Sequence, residues 1–177
     1  MFKKLLFIVS LINFVFPQGT WMMSNRTHPE LEWETIKTDN FNIHFHDGIY
    51  DIAIRGANIA EKIRGTLMDQ VGLDSLQKLD IIFTTEDEIA NGFATAANYT
   101  IIWVDQNNVA IEQNENKWLE HVLAHELQHL VFYNVTKSWL PFPMNMLYGN
   151  VPLWFVEGLA EYFTENWRPY RFDISHK

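Results

Sequence analysis

One twelve-residue stretch, LAHELQHLVFYN from Leu123 to Asn134, limits the folds open to this chain more than any other. It belongs to a segment, Trp118 to Asn134, in which Leu119, Val122, Leu123, Leu127, Leu130 and Val131 recur at helical spacing and cover most of a helix surface. Such a helix is expected to be buried on most sides. Yet it carries His125, Glu126 and His129. Ionisable groups are rarely buried unless they are paired or bind a metal. The fold must therefore bring partners to them.

His125 and His129 are four residues apart, so a helix sets both imidazoles on one face, about 6 Å apart along the axis. That suits two legs of a tetrahedral zinc site with Zn–N distances near ~2.0–2.1 Å. Glu126 lies about 100° further round and does not easily join the same metal. It is placed instead to take a proton from a water in the metal's open position, which is the physical content of His-Glu-x-x-His in hydrolytic zinc enzymes. Random order would supply the pattern in roughly 2% of chains of this composition. The plain alternative is a pair of hydrogen-bonded core histidines beside an exposed glutamate.

Two histidines need a third protein ligand. WFVEGLAEYF, Trp154 to Phe163, offers Glu157 and Glu161 one helical turn apart in an otherwise apolar segment. Glu157 is assigned as the third ligand. Glu161 is assigned a supporting role, accepting a hydrogen bond from a ligand imidazole and so fixing its ring. Gly158 and Ala160 are small and would let this helix approach the first closely. A solvated acidic face is the alternative. His121, one turn before His125, leaves a shifted ligand set conceivable, but Glu126 then has no clean role.

Elsewhere the pattern is mixed. WETIKT and FNIHFH alternate apolar with polar and are joined by Asp39-Asn40, which predicts a hairpin. His44 and His46 are expected on a polar sheet face of its second strand. Asp51 to Val71 has helical spacing and Gly72 is its stop. Leu79 to Thr84 reads as a strand, and EDEIA as a single helical turn. The small residues of NGFATAANYT read as a loop before a strand from Thr100 to Val104. Asn107 to Asn116 is polar and turn-like. Thr136 to Pro152 is a Pro-containing connection, and a last helix is expected from near Leu153 to before Pro169. Strands, a helix, strands and then helices predict an α+β domain.

The chain opens with Lys3 and Lys4, an apolar run from Leu5 to Phe16, and polar PQGT. That order is the one expected of a secretory signal peptide, residues 1–19, with the domain following over residues 20–177. The run is too short to span a bilayer comfortably, so no membrane span is expected after cleavage; an uncleaved anchor is the alternative. The chain contains no cysteine, which excludes disulfides, thiol catalysis and cysteine-ligated zinc. An exported chain without disulfides points to a bacterial periplasmic, cell-surface or secreted protein. Losing Lys3 and Lys4 with the leader takes the formal charge from −9 to −11, which disfavours nucleic acid and anionic membranes as partners.

His125-Glu126-x-x-His129 followed by Trp154-x-x-Glu157-Gly158-x-Ala160-Glu161-Tyr162 resembles the gluzincin metallopeptidases, and within them the peptidase MA-like domains of exported bacterial proteins. The resemblance covers residues 118 to 166 clearly and the upstream strands in outline. It implies one zinc ion per chain on His125, His129 and Glu157, with Glu161 holding His125. It also implies a zincin-like fold: a small mixed sheet whose edge strand lies beside the His-Glu-x-x-His helix and pairs with extended substrate backbone. Asn91, Gly92, Phe93 and Ala94, in the stretch 91 to 96, occupy that place, against the plain reading as a loop. An oxyanion donor is implied as well. Tyr148 stands in the right connection, and Tyr133, Tyr162 and Tyr170 compete with it. The chain departs from the pattern in the long run of 27 residues that separates His129 from Glu157 and in ending only 20 residues after Glu157. A C-terminal subdomain is thus expected to be short or missing, or the chain to be part of a longer one, with a downstream β-propeller among the expected neighbours.

The first expectation is a zinc-dependent peptidase acting on a peptide or protein substrate, with Glu126 as general base. The second is a catalytically degenerate zinc-binding scaffold that serves as an interaction module. A third keeps the hydrolytic zinc and changes the substrate to another amide.

Overall fold

A computed structural model describes residue 28 and residues 30–85, 91–104, 117–136 and 151–165. The chain divides into two units, Met1–Leu31 and Glu32–Lys177. In the first, the described residues form a turn in which Leu31 N–H donates to His28 O at 3.1 Å. The second unit holds the fold. Residues 1–19, EDEIA, Asn107 to Asn116 and Tyr148 lie outside the described residues.

Among its described residues the second unit is α+β, with a five-stranded mixed sheet and three helices. β1 (Trp33–Lys37) and β2 (Phe41–His46) form the expected antiparallel hairpin, with Ile36 opposite Ile43. α1 (Tyr50–Val71) crosses over to β3 (Leu79–Thr84), which lies parallel to β2. Gly72 ends α1 in the left-handed region at φ 67°, where its N–H and that of Leu73 close the last turn onto Asp69 and Met68 carbonyls. β4 (Asn91–Thr95) and β5 (Tyr99–Trp103) form a second antiparallel hairpin, and β5 pairs parallel with β3. The strand order is β1-β2-β3-β5-β4, so β4 is an edge. α2 (Lys117–Val135) and α3 (Leu153–Glu165) are the other described helices.

Alternation explains the core. Phe41, Ile43 and Phe45 of β2 and Leu79, Ile81 and Phe83 of β3 point to one face and are fully buried. Ala53, Ala57, Ala60, Ile63 and Leu67 of α1 meet them, joined by Leu119, Leu123, Leu127 and Leu130 of α2. The opposite side of β2 is polar, but not uniformly wet. His44 bonds Thr35 Oγ1 at 2.9 Å and lies 3.2 Å from Asp80 Oδ1. His46 is buried, its Nδ1 on Asp47 O at 2.8 Å and its Nε2 receiving Thr85 N–H at 3.3 Å. It is a satisfied structural histidine rather than part of a solvated face.

Two local expectations are corrected. Residues 91–95 are a strand, not a loop, and β5 begins one residue before the expected Thr100. Asn91, Gly92 and Ala94 have poor intrinsic strand propensity, so pairing with β5 determines their conformation. No helix among the described residues is long and apolar enough to cross a membrane.

Candidate metal centre

α2 arrives with its burial set by the sheet. Leu119, Leu123, Leu127 and Leu130 face the core, which turns His125, Glu126 and His129 toward β4 and α3. On α3, Val156, Ala160 and Thr164 repeat every four residues and are all buried. Thr164 Oγ1 donates to Ala160 O at 2.7 Å, which satisfies that hidden hydroxyl. Phe155 meets Phe132 of α2 with ring centroids 6.1 Å apart. Glu157 and Glu161 each follow a buried residue by one position, about 100° round the helix. That rotation carries both carboxylates to the side from which the histidines emerge.

The result is a triangle of donor atoms. His125 Nε2 and His129 Nε2 are 3.2 Å apart, and Glu157 Oε2 is 3.4 Å from each. Ligand–ligand edges of a tetrahedral zinc site follow from the bond length and come to about 3.3–3.4 Å. The three donors therefore fit zinc in both chemistry and spacing. They form the one convergent group of metal-ligand type among the described residues, and His121 is not in it. Glu161 Oε2 lies 3.5 Å from His125 Nδ1, long for a hydrogen bond but close enough to favour a proton on Nδ1 and a lone pair on Nε2. Among the described residues, His129 Nδ1 is buried without a hydrogen-bond partner, as are both amide atoms of the neighbouring Gln128.

Burial tunes the charges. His129 is pushed down to about 4, chiefly by burial, so its ring is neutral and offers a lone pair. Glu126 is only 6% exposed, which removes the alternative of a solvated glutamate. Its carboxyl is pushed up to about 8, first by burial and then by the charge of Glu157, against a hydrogen bond from the Ala94 backbone. A divalent cation on the neighbouring donors would favour the carboxylate instead.

β4 runs directly beside Glu126. A Cβ on Gly92 would lie 2.5 Å from Glu126 Cγ and 2.7 Å from its Oε1, so any larger residue there would have to displace the Glu126 side chain. Ala94 is buried next to it, and Phe93 is half-buried and receives Thr100 Oγ1 on its carbonyl at 3.1 Å. Asn91 contributes backbone to the same strand.

Several expectations shift. Gly158 has nothing within 4 Å of a would-be Cβ, so of the two small residues only Ala160 is buried. Glu157 and Glu161 are 53% and 41% exposed at the side chain, and Leu153, Trp154 and Tyr162 beside them are exposed as well. The segment is apolar without being buried throughout. Tyr133 gains weight: its ring stacks on His129 with centroids 6.2 Å apart, and burial followed by the charges of Glu157 and Glu126 pushes its phenol up. Its spacing of four from His129 was the signal for it. Asn134 and Asn98, considered below, gave no local sign.

No protein-family model, curated protein or solved structure matches the chain, so the geometry of the site carries the functional argument.

Proposed function

We propose that the chain is a zinc-dependent peptide hydrolase of gluzincin type, with a zincin-like arrangement of edge strand β4, helix α2 and ligand helix α3. The observation that carries this reading is the donor triangle, with edges of 3.2, 3.4 and 3.4 Å, next to a buried acid that is not one of the three donors. His125, His129 and Glu157 would hold one zinc ion per chain. When bound, zinc in a three-ligand site supplies Lewis acidity, which acidifies water and polarises a carbonyl.

The chain's own residues handle position and protons. Glu126 takes the proton of the attacking water and delivers it to the leaving amine. Glu161 holds the His125 ring in the ligating tautomer. Edge strand β4, from Asn91 to Ala94, would accept extended peptide backbone as an added strand. Tyr133 or Tyr148 donates to the developing oxyanion. The leader-like start of the sequence supports export.

The test is hydrolysis of a mixed peptide pool by the zinc-loaded chain. Glu126→Gln should keep its zinc while the rate falls on the order of 10²–10⁴-fold. Equal cleavage by the variant and the wild type would contradict the role given to Glu126. A second reading, a degenerate zinc scaffold that docks a partner, is favoured by the 70% and 74% exposure of Leu153 and Trp154 beside the site. Bound zinc without hydrolysis of any peptide would select it.

A further inference from the structure

Strand β4 is poorly equipped to hold its own place. It is five residues long and, in the strand order of the described residues, stands at the sheet edge next to β5. Gly92 and Ala94 give it little apolar surface to bury against α2. Yet a peptide added along it is held only as firmly as its own backbone is.

The hairpin tip shows what holds it. Asn98 sits in the turn with φ 66°, a left-handed conformation that asparagine tolerates. Its backbone N–H donates to Thr95 O at 3.2 Å, and its carbonyl accepts from Asp80 N–H of β3 at 3.2 Å. Its side-chain Oδ1 accepts from Asn134 Nδ2 at 2.7 Å. Asn134 Nδ2 also donates to Leu130 O, one turn back on α2, at 2.8 Å. Both amide hydrogens of Asn134 are thereby used, and its rotamer is fixed by its own helix. Asn134 lies eight residues beyond Glu126, about 12 Å along the axis. The hairpin is thus tied to α2 at two points, Ala94 to Glu126 and Asn98 to Asn134.

We propose that the Asn134–Asn98 pair is a positioning clamp that keeps edge strand β4 in register over Glu126. The part that concerns substrate rests on the peptidase reading above. The two ties differ in kind. Glu126 is committed to chemistry, so its bond to Ala94 competes with water and substrate. Asn134 takes no part in chemistry, and its bond persists through a turnover. The same rigid helix carries the histidine ligands, Glu126 and the clamp, so the strand is referenced directly to the site.

The test compares Asn134→Ala, Asn98→Gly, which keeps the turn conformation but deletes the acceptor, and Asn98→Asp, which keeps an acceptor. Amide exchange across residues 91–103 should quicken about fivefold in the first two variants, the size expected for one lost hydrogen bond, and little in the third. Exchange in α2 and the zinc content should stay at wild-type values. The double variant should match the singles rather than add to them. For peptides long enough to lie along β4, KM should rise about fivefold with kcat within twofold. Unchanged hairpin exchange overturns the clamp. So does equal quickening of α2, which marks general destabilisation, and so does a loosened hairpin with unchanged KM. A wild type that cleaves no peptide overturns the peptidase reading separately, and the exchange comparison still decides whether the clamp exists.

Discussion

The two helices that build the site are held in opposite ways. From Val122 to Val131 every residue of α2 is buried except His125, which is half-buried. α2 packs against α1, β4, β5 and α3. α3 packs chiefly on α2 and leaves Leu153, Trp154, Phe155 and Tyr162 exposed. Two of the proposed ligands thus sit on a rigid, enclosed element and the third on a helix anchored along one stripe. A site divided this way has a preformed half and a half whose position depends on the packing of one face and on the ion itself.

Stability should register that contrast most strongly. Leu123 is 0% exposed in α2 and Trp154 is 74% exposed in α3. Leu123→Ala should cost about 2–5 kcal/mol and Trp154→Ala no more than about 0.5 kcal/mol, read by denaturant unfolding. Equal costs would break the comparison. Zinc provides a sharper probe. Loading should slow amide exchange in α3 by about tenfold or more and in α2 much less, because ligand binding stabilises what it orders. Uniform slowing of both helices would show that α3 is as firmly held as α2.

Acidity probes the enclosed helix more gently, because Glu126 and His129 both lie on α2. In the chelated chain Glu126, pushed up to about 8, holds its proton more tightly when folded, so its share of stability is lost as pH rises from about 4.5 towards 8. His129, pushed down to about 4, works the other way, and its share is lost as pH falls from about 6.5 towards 4. Above about pH 6.5 the Glu126 effect stands alone of these two. Glu126→Gln should therefore remove the decline toward pH 8 and keep the decline toward pH 4 in unfolding curves. An unaltered alkaline decline would mean that another group causes it.

Much of α2 was legible because periodicity and motif agree in it. Six apolar residues fix its inward face, and the spacing of four between His125 and His129 fixes which groups converge. The β1–β2 hairpin and α1 were readable because each has a clean period and a turn residue at its boundary, and β3 because it is a short apolar run rich in β-branched residues. β4 was not legible in local pattern, because Asn91, Gly92 and Ala94 carry no strand signal of their own and take their conformation from β5; only the resemblance placed an edge strand there. α3 was legible as a helix but not in its exposure, since a stripe of Val156, Ala160 and Thr164 does not reveal that Leu153 and Trp154 face outward. His46 looked like surface because alternation does not show that Thr85 and Asp47 enclose it. The contact between Asn98 and Asn134 spans 36 residues and leaves no trace in local pattern.

Metal content of the purified full chain, after zinc loading and dialysis, tests the central assignment most directly. One zinc per wild-type chain, almost none in His129→Ala and sharply weakened retention in Glu157→Ala is the result expected. Full retention in both variants, or no zinc in the wild type, would mean that these three side chains do not form the centre.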